Sequence, residues 1–285
     1  EAITQSMKKD KPFFLYMSHY AVHSPFQTDR RFEENYKDST RSRPSKSFAT
    51  LIEGIDKSLG DLMDHVTDKG VAENTLILFV GDNGSDAPLG DNYGYYSSAP
   101  LRGKKGTCYE GGLRVPFIAS WAQRGDQNKF PIARNHLHTK QIGTVMDIYS
   151  TILDASGAKN PQEHVIDGVS LRKQLSGKLN QNRLDHFMCH FPHSHRSSYF
   201  TSYRRGNWKL IYRYLTEGGK RKSKNPLPQH ELYNLKNDPY ETKNMALENR
   251  PKVNEMIELM NSQLKDEDAL FLVRDDKFLK PALLK

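Results

Sequence analysis

Hydrophobic and polar positions along this chain follow two different patterns. In the first part, Phe13–Ser18, Thr75–Val80 and Val115–Trp121 are nearly continuous apolar runs, as expected of strands buried on both faces of a mostly parallel sheet. Between the first two runs, Phe48, Leu51, Ile52, Ile55, Leu59, Leu62, Met63 and Val66 recur every three or four positions. That spacing predicts an amphipathic helix over about Ser45–Lys69, closed by Gly70. Ile142, Val145, Met146, Tyr149, Ile152 and Leu153 predict a second helix over about Thr139–Ala155, and Glu1–Lys9 reads as the last turns of another. Strand, helix, strand alternation points to a layered α/β fold.

After about Leu184 the period shortens. His186–Phe191, Tyr199–Tyr203, Trp208–Tyr214 and Glu231–Leu235 read as hairpin-scale strands, followed by a helix over Pro251–Leu264 with Val253, Met256, Ile257, Met260 and Leu264 inward. Two domains are therefore expected: residues 1–183, α/β, and residues 184–285, a small antiparallel sheet with one helix.

Composition narrows the class. Of 285 residues, 36% are hydrophobic and 10% aromatic, too many for a disordered chain. No apolar run approaches the roughly 18 residues of a membrane span. Lysine and arginine exceed aspartate and glutamate by 42 to 34, a net +8 that favours anionic partners. The one basic cluster, Lys220, Arg221, Lys222 and Lys224, reads as a solvated loop. Basic residues are not interleaved with aromatics on a single element, so a nucleic-acid partner is not expected. The two cysteines, Cys108 and Cys189, have no metal-like spacing and are open to pairing or to remaining free.

Three segments carry candidate chemistry. In Val80-Gly81-Asp82-Asn83-Gly84-Ser85 an apolar strand runs directly into a carboxylate and an amide, where ligands bind in parallel sheets. Both are hard oxygen donors suited to Ca²⁺ or Mg²⁺, although an ordinary turn ends strands in the same way. In Ser18-His19-Tyr20-Ala21-Val22-His23-Ser24-Pro25 a turn presents histidines able to act as general acid or anion ligand. In the run from Pro100 to Pro116, glycines flank Lys104 and Lys105 and let backbone and ammonium groups approach an anion closely, without the spacing of a phosphate-binding Walker loop.

The runs KPFFLYMSHYAVHSPF, ENTLILFVGDNGSDAPLG and APLRGKKGTCYEGGLRVPFIASW, in this order, resemble the sulfatase family, as do DGVSL (Asp167–Leu171), GNWKLIY and ELYNLKNDPYET. The resemblance implies an alkaline-phosphatase-like three-layer α/β/α domain, its N-terminal part missing here, with a small C-terminal sheet-and-helix subdomain. It implies hydrolysis of sulfate esters, of sulfated carbohydrates or aryl-type esters, with one bound Ca²⁺. Asp82 and Asn83 match the family's second pair of metal ligands, His23 the histidine that assists departure of the alcohol, and Lys105 the lysine that binds a sulfate oxygen. In the His190-Phe191-Pro192-His193 stretch, His193 is the candidate sugar contact, beside the reading of a plain strand end. A secreted or periplasmic location is implied by the family alone.

The family's nucleophile is a formylglycine made from Cys or Ser in a C/S-x-P-x-R pattern, expected upstream of the Phe13 strand. Cys108 and Cys189 do not fit the pattern, and no serine is expected to fit it either: Ser42-Arg43-Pro44-Ser45-Lys46 has lysine where arginine is needed. The chain opens without Met or an apolar leader and reads as a piece of something longer, expected to hold half a site, to be inactive alone and to expose apolar sheet edges. A non-catalytic relative that binds sulfated glycans is the alternative. A zinc phosphatase of the same superfold is disfavoured, because Asn83 stands where those enzymes place histidine.

Overall fold

A computed structural model describes residues 1–89, 97–183, 185–193, 199–216 and 226–285; the basic cluster at Lys220–Lys224 lies outside them. The chain forms two compact units. Unit 1 comprises Glu1–Phe79, Ala87–Asp91 and Ile118–Phe130, and unit 2 comprises Val80–Asp86, Asn92–Phe117 and Pro131–Lys285.

Unit 1 is organised by one long helix. After a short α1 (Ala2–Lys8), α2 spans Arg43–Asp68. Ser42 caps it, its hydroxyl accepting the Ser45 amide, and Pro44 sits in the first turn, where a missing N–H costs nothing. At the other end Gly70 takes φ 71°, a left-handed stop that any side chain would disfavour. The helix is where the period placed it, but its burial is not. Of the apolar stripe only Phe48 and Val66 are buried, and Ile52 and Met63 are exposed. The tightly packed positions are polar: Ser47 and Thr50, at 3% and 1% exposure, receive the segment Thr28–Asp29 through Thr28 Oγ1–Ser47 Oγ (2.7 Å) and Asp29 N–H to Thr50 Oγ1 (3.0 Å). Small residues win there because a chain segment lies directly against the helix; a Cβ on Gly54 would sit 2.8 Å from the Asp29 carboxylate.

The strands of this unit depart further from expectation. β1 (Leu76–Val80) pairs with β2 (Phe117–Trp121) in a two-stranded sheet, but β1 is half-buried throughout and only Trp121 of β2 is buried. Phe13–Ser18 is not a strand. It pairs with nothing among the described residues, and Phe14 and Tyr16 are 70% and 79% exposed. An apolar run signals a strand only through the ladder that satisfies its backbone, and no such ladder forms here.

Among the described residues, unit 2 holds four helices and the larger sheet. A one-turn α3 (Glu110–Leu113) precedes β2 in the chain. The expected helix over Thr139–Ala155 is only α4 (Asp147–Ser156), ending at left-handed Gly157. Its first half is lost because the Asp147 carboxylate takes the Thr144 amide (2.6 Å) and hydroxyl (3.1 Å), a local bond that starts the helix there. The same carboxylate meets Arg183 face to face, 2.9 and 2.6 Å, in a buried pair. A one-turn α5 (Arg172–Leu175) follows.

β3 (His186–Phe191), β4 (Phe200–Arg205), β5 (Trp208–Arg213) and β6 (His230–Asn234) form an antiparallel meander, each strand within two residues of its expected ends. Gly206-Asn207 turns β4 into β5, with Gly206 at φ 55°, as two-residue hairpin loops require. One face, carrying Tyr203, Leu210, Tyr212 and Leu232, packs on α6 (Arg250–Asp266) through Val253, Met256, Ile257, Met260 and Leu264. These five helix residues are fully buried, as their spacing predicts. The opposite face presents Lys209, Ile211, Arg213, Glu231 and Tyr233, because alternate strand residues point to opposite sides. Chain ends 273–285 add a small hairpin, β7 (Val273–Arg274) with β8 (Lys277–Phe278), and a strap pinned by Asn254 to both polar groups of the Leu284 backbone (2.8 and 3.2 Å).

Two outcomes follow from this packing. Ile257→Ala empties a dry site and is expected to lower unfolding free energy by about 2–5 kcal/mol in urea titration. The exposed apolar run of Phe14–Met17 is expected to drive self-association of the isolated chain, and a Phe14→Ser, Tyr16→Ser double variant to raise the monomer fraction in sedimentation velocity.

Candidate active site

Asp82, Asn83 and Lys105 of unit 2 sit on two loops locked to each other through their backbones. The first leaves β1 as Gly81–Asp86; the second is the glycine-rich run from Arg102 to Pro116. Gly81 N–H donates to the Pro116 carbonyl (3.0 Å), Gly84 N–H to Gly112 (3.1 Å) and Lys105 N–H to Ser85 (3.0 Å). Contact is close enough that only glycine fits at Gly84. A Cβ there would overlap the Gly111 carbonyl oxygen and stand 2.7 Å from the Gly112 Cα.

Within the second loop the two lysines lie between left-handed glycines, Gly103 at φ 86° and Gly106 at φ 80°. Thr107 closes the turn, its hydroxyl donating to the Lys104 carbonyl (2.8 Å) and accepting the Lys104 amide (3.2 Å). Lys104 faces Asp86 at 3.6 Å, whereas Lys105, half-buried, has its amide fixed on the first loop. Asp82 is exposed and Asn83 half-buried. The structure therefore brings Asp82, Asn83 and Lys105 onto one stitched pair of loops.

His23 belongs to unit 1, on a segment fastened along α2 by Ser58 to His19 (2.9 Å) and by Ser47 and Thr50 to Thr28 and Asp29. Its Nδ1 lies 2.7 Å from the Ser24 carbonyl, which can only accept, so Nδ1 carries a proton and Nε2 is the nitrogen left for chemistry. His193, exposed at the end of β3, lays its ring on Phe191 with centroids 3.8 Å apart. Neighbouring His190 has both nitrogens occupied, by Thr201 Oγ1 and the Leu270 carbonyl at 2.7 Å each, and is a structural residue.

A carboxylate and an amide oxygen suit a hard cation, which takes six to eight oxygens in the case of Ca²⁺. Asp82 and Asn83 fit in kind, but among the described residues no group of three or more His, Cys, Asp or Glu gathers as a metal cluster. Both cysteines are free thiols. Cys108 is buried, which raises its pKa, with Arg213 Nη2 at 3.3 Å; burial pushes Cys189 up to about 11. Neither is a ready nucleophile.

One serine run spells the bare nucleophile pattern, contrary to expectation: Ser98-Ala99-Pro100-Leu101-Arg102. Its surroundings assign it to the loop. Ser98 Oγ donates to the Gly111 carbonyl (2.7 Å), and Arg102 is committed to the Tyr233 hydroxyl (3.0 Å) and the Glu241 carbonyl (2.7 Å).

The family model for sulfatases matches residues 1–158, and that for the C-terminal part of N-sulphoglucosamine sulphohydrolase matches residues 103–269. The chain belongs to the sulfatase family. This sulfatase-family chain is 32% identical over 270 residues to a sulfatase of Formosa agariphila, an alignment covering 87% of this chain and 44% of that protein. It is 33% identical over 175 residues to N-acetylgalactosamine-6-sulfatase of Canis lupus familiaris, covering 61% and 30%. The crystal structure of Ps i-CgsB in complex with k-i-k-neocarrahexaose superposes with a TM-score of 0.70 at 21% identity, over 98% of this chain and 54% of that one, and shares the alkaline-phosphatase-like α/β fold. The chain thus spans less than half the length of the curated relatives it matches. No helix among the described residues is long and apolar enough to cross a membrane.

The interlocking glycines give a direct check. Gly84→Ala is expected to cost about 1–3 kcal/mol by overpacking. Gly60→Ala, in mid-helix with nothing within 4 Å of the added carbon, is expected to stabilise by about 0.5–1 kcal/mol. Thermal unfolding of both variants measures the contrast.

Proposed function

We propose that this chain supplies half of the active site of a calcium-dependent sulfatase acting on sulfated carbohydrate. The observation that supports it best is the stitched loop pair carrying Asp82, Asn83 and Lys105. In this reading Asp82 and Asn83 are two of the oxygen ligands of the cation, whose chemistry when bound is to withdraw charge from a sulfate oxygen. Lys105 binds a second sulfuryl oxygen, and its fixed amide keeps the ammonium where negative charge grows as the ester S–O bond breaks. The electron pair of that bond goes to the departing alcohol oxygen, which takes the Nε2 proton of His23 in its doubly protonated form, leaving the neutral Nδ1–H ring, while an oxygen nucleophile bonds to sulfur. His193 contacts the sugar from the end of β3. Support for a carbohydrate substrate comes from the names of the relatives, from the ligand of the Ps i-CgsB complex and from the net +8 charge. The family also favours a secreted or periplasmic location.

By the same reading the 285-residue chain does not hydrolyse esters alone. Cys108 is buried, Cys189 half-buried, neither lies in the pattern, and Ser98 is hydrogen-bonded into its loop, so in this reading none of the three serves as the formylglycine precursor. The test is an assay of sulfate release by this chain and by the whole enzyme, with intact mass to detect oxidation of Ser98. The expected result is an unmodified, inactive chain and an active whole enzyme. In the latter, Lys105→Ala lowers kcat/KM by about 10²–10³-fold. His23→Ala costs far more with a sugar sulfate than with an aryl sulfate, whose alcohol departs without protonation. Turnover by the isolated chain, or an oxidised Ser98, overturns the division of the site. A whole protein that binds sulfated oligosaccharides without releasing sulfate favours the binding relative instead.

A further inference from the structure

Behind the loop that carries Lys105, the polar face of the large sheet buries a set of charges that the proposed chemistry leaves unused. Lys209 on β5 is 1% exposed, and its ammonium lies 2.9 Å from Glu110 Oε1 and 2.8 Å from Glu241 Oε1. Glu110 opens α3, and Glu241 lies in the turn after β6; they are 5% and 0% exposed. The other carboxylate oxygen of Glu241 accepts the Glu110 amide (2.7 Å), and its carbonyl accepts Arg102 Nη1 (2.7 Å). Arg102 also stacks on the Tyr109 ring at 3.9 Å. One step along the sheet, Arg213 pairs with Glu231 and donates to the Tyr109 hydroxyl (3.1 Å), and Tyr233 donates to Glu231. Among the described residues, the ties that run from this face of the sheet and the Glu241 turn to the loop end on residues 102, 108, 109 and 110. These residues bracket Gly103–Thr107, and Gly111 N–H closes the bracket on the Arg102 carbonyl (2.7 Å).

The arrangement is poorly suited to stability alone. A buried ion pair recovers little more than its own desolvation, and apolar side chains of the same volume serve a core as well. Glu241 moreover holds φ 55°, a left-handed conformation unfavourable for any residue with a Cβ, and does so while placing both its carbonyl and its carboxylate on the loop. Burial alone would discharge Lys209, but the two carboxylates raise its pKa, so the ammonium keeps its charge and its hold.

We propose that Lys209, acting through Glu110 and Glu241, is a positioning residue for Lys105. It fixes the ends of the 102–110 loop, the loop is stitched to Gly84 and Ser85, and the backbone that carries Lys105 is thereby held beside the segment of Asp82 and Asn83. This rests on the reading of Lys105 given above, and the experiment separates the two.

Hydrogen exchange resolved to single amides is measured on the 285-residue chain as wild type, Lys209→Met and Glu241→Gln, the last keeping the volume of the site. The expected result is about tenfold faster exchange or more at the Lys105, Gly111 and Gly84 amides, with the Met256 and Ile257 amides of α6 within about twofold of wild type. Equal acceleration at both sets, loss of α6 protection in both variants, or no change at the loop overturns the proposal in favour of a structural or inert network. In the whole enzyme the same variants are expected to lower kcat by about 10–100-fold with KM within about threefold. A loosened loop with unchanged kcat overturns the positioning role. A wild-type enzyme that releases no sulfate refutes the reading of Lys105 as a sulfate ligand and leaves the exchange result to decide whether Lys209 orders the loop.

Discussion

A lysine ammonium sealed between two carboxylates is the constraint on which unit 2 depends. Once Lys209 is buried, Glu110 and Glu241 must both be present and both be fixed, because an unpaired charge in that setting would cost several kcal/mol. Their positions then determine much else. Glu241 has to enter the left-handed region to bring its carboxylate to the Glu110 amide, and Arg102 is drawn to its carbonyl. Arg213, Glu231, Tyr109 and Tyr233 complete a second set alongside, so the buried polar face is held by ion pairs and hydrogen bonds together. The sheet can accommodate this because its two faces are chemically independent: the face on α6 is apolar and supplies the burial, and the other is free to carry charge.

The same separation explains why a flexible composition gives a defined loop. Gly103, Gly106, Gly111 and Gly112 would leave an isolated segment with great backbone freedom. Here that freedom is removed from both sides, by backbone bonds to Gly81–Ser85 in front and by charged side chains behind. Glycine is then used for close approach rather than for motion. A lysine on such a loop can hold a developing negative charge without reorganising, which is the property that distinguishes an electrostatic catalyst from a solvated cation.

How much of this was legible in the sequence depended on how local each interaction is. The meander and α6 were readable because period-2 and three-four spacing reflect direct burial, and α6 buries the five residues its spacing named. The glycine-rich loop was readable as a candidate site because its oddity is confined to a dozen residues. Phe13–Ser18 misled, since an apolar run has the same appearance whether or not a ladder receives it. Residues 139–146 misled because one carboxylate, Asp147, outcompeted a helical pattern through bonds to Thr144. The buried charges escaped because Lys209 meets Glu110 across 99 residues and Arg102 meets Glu241 across 139. Their one local trace is Lys209 and Arg213 at alternate positions in Trp-Lys-Leu-Ile-Tyr-Arg, facing an equally unusual Glu231 on the next strand.

Ser98–Arg102 carries the argument one step further. As letters it satisfies the pattern for a sulfatase nucleophile, and as structure it does other work. Ser98 donates to Gly111 and Arg102 is held by Tyr233 and Glu241, so the pentapeptide is consumed in fixing the loop that follows it. The contacts that occupy Ser98 and Arg102 also tie down the two ends of the loop that carries Lys105. A short motif therefore names residue types, and the role of each is set by what its polar groups have already bonded to.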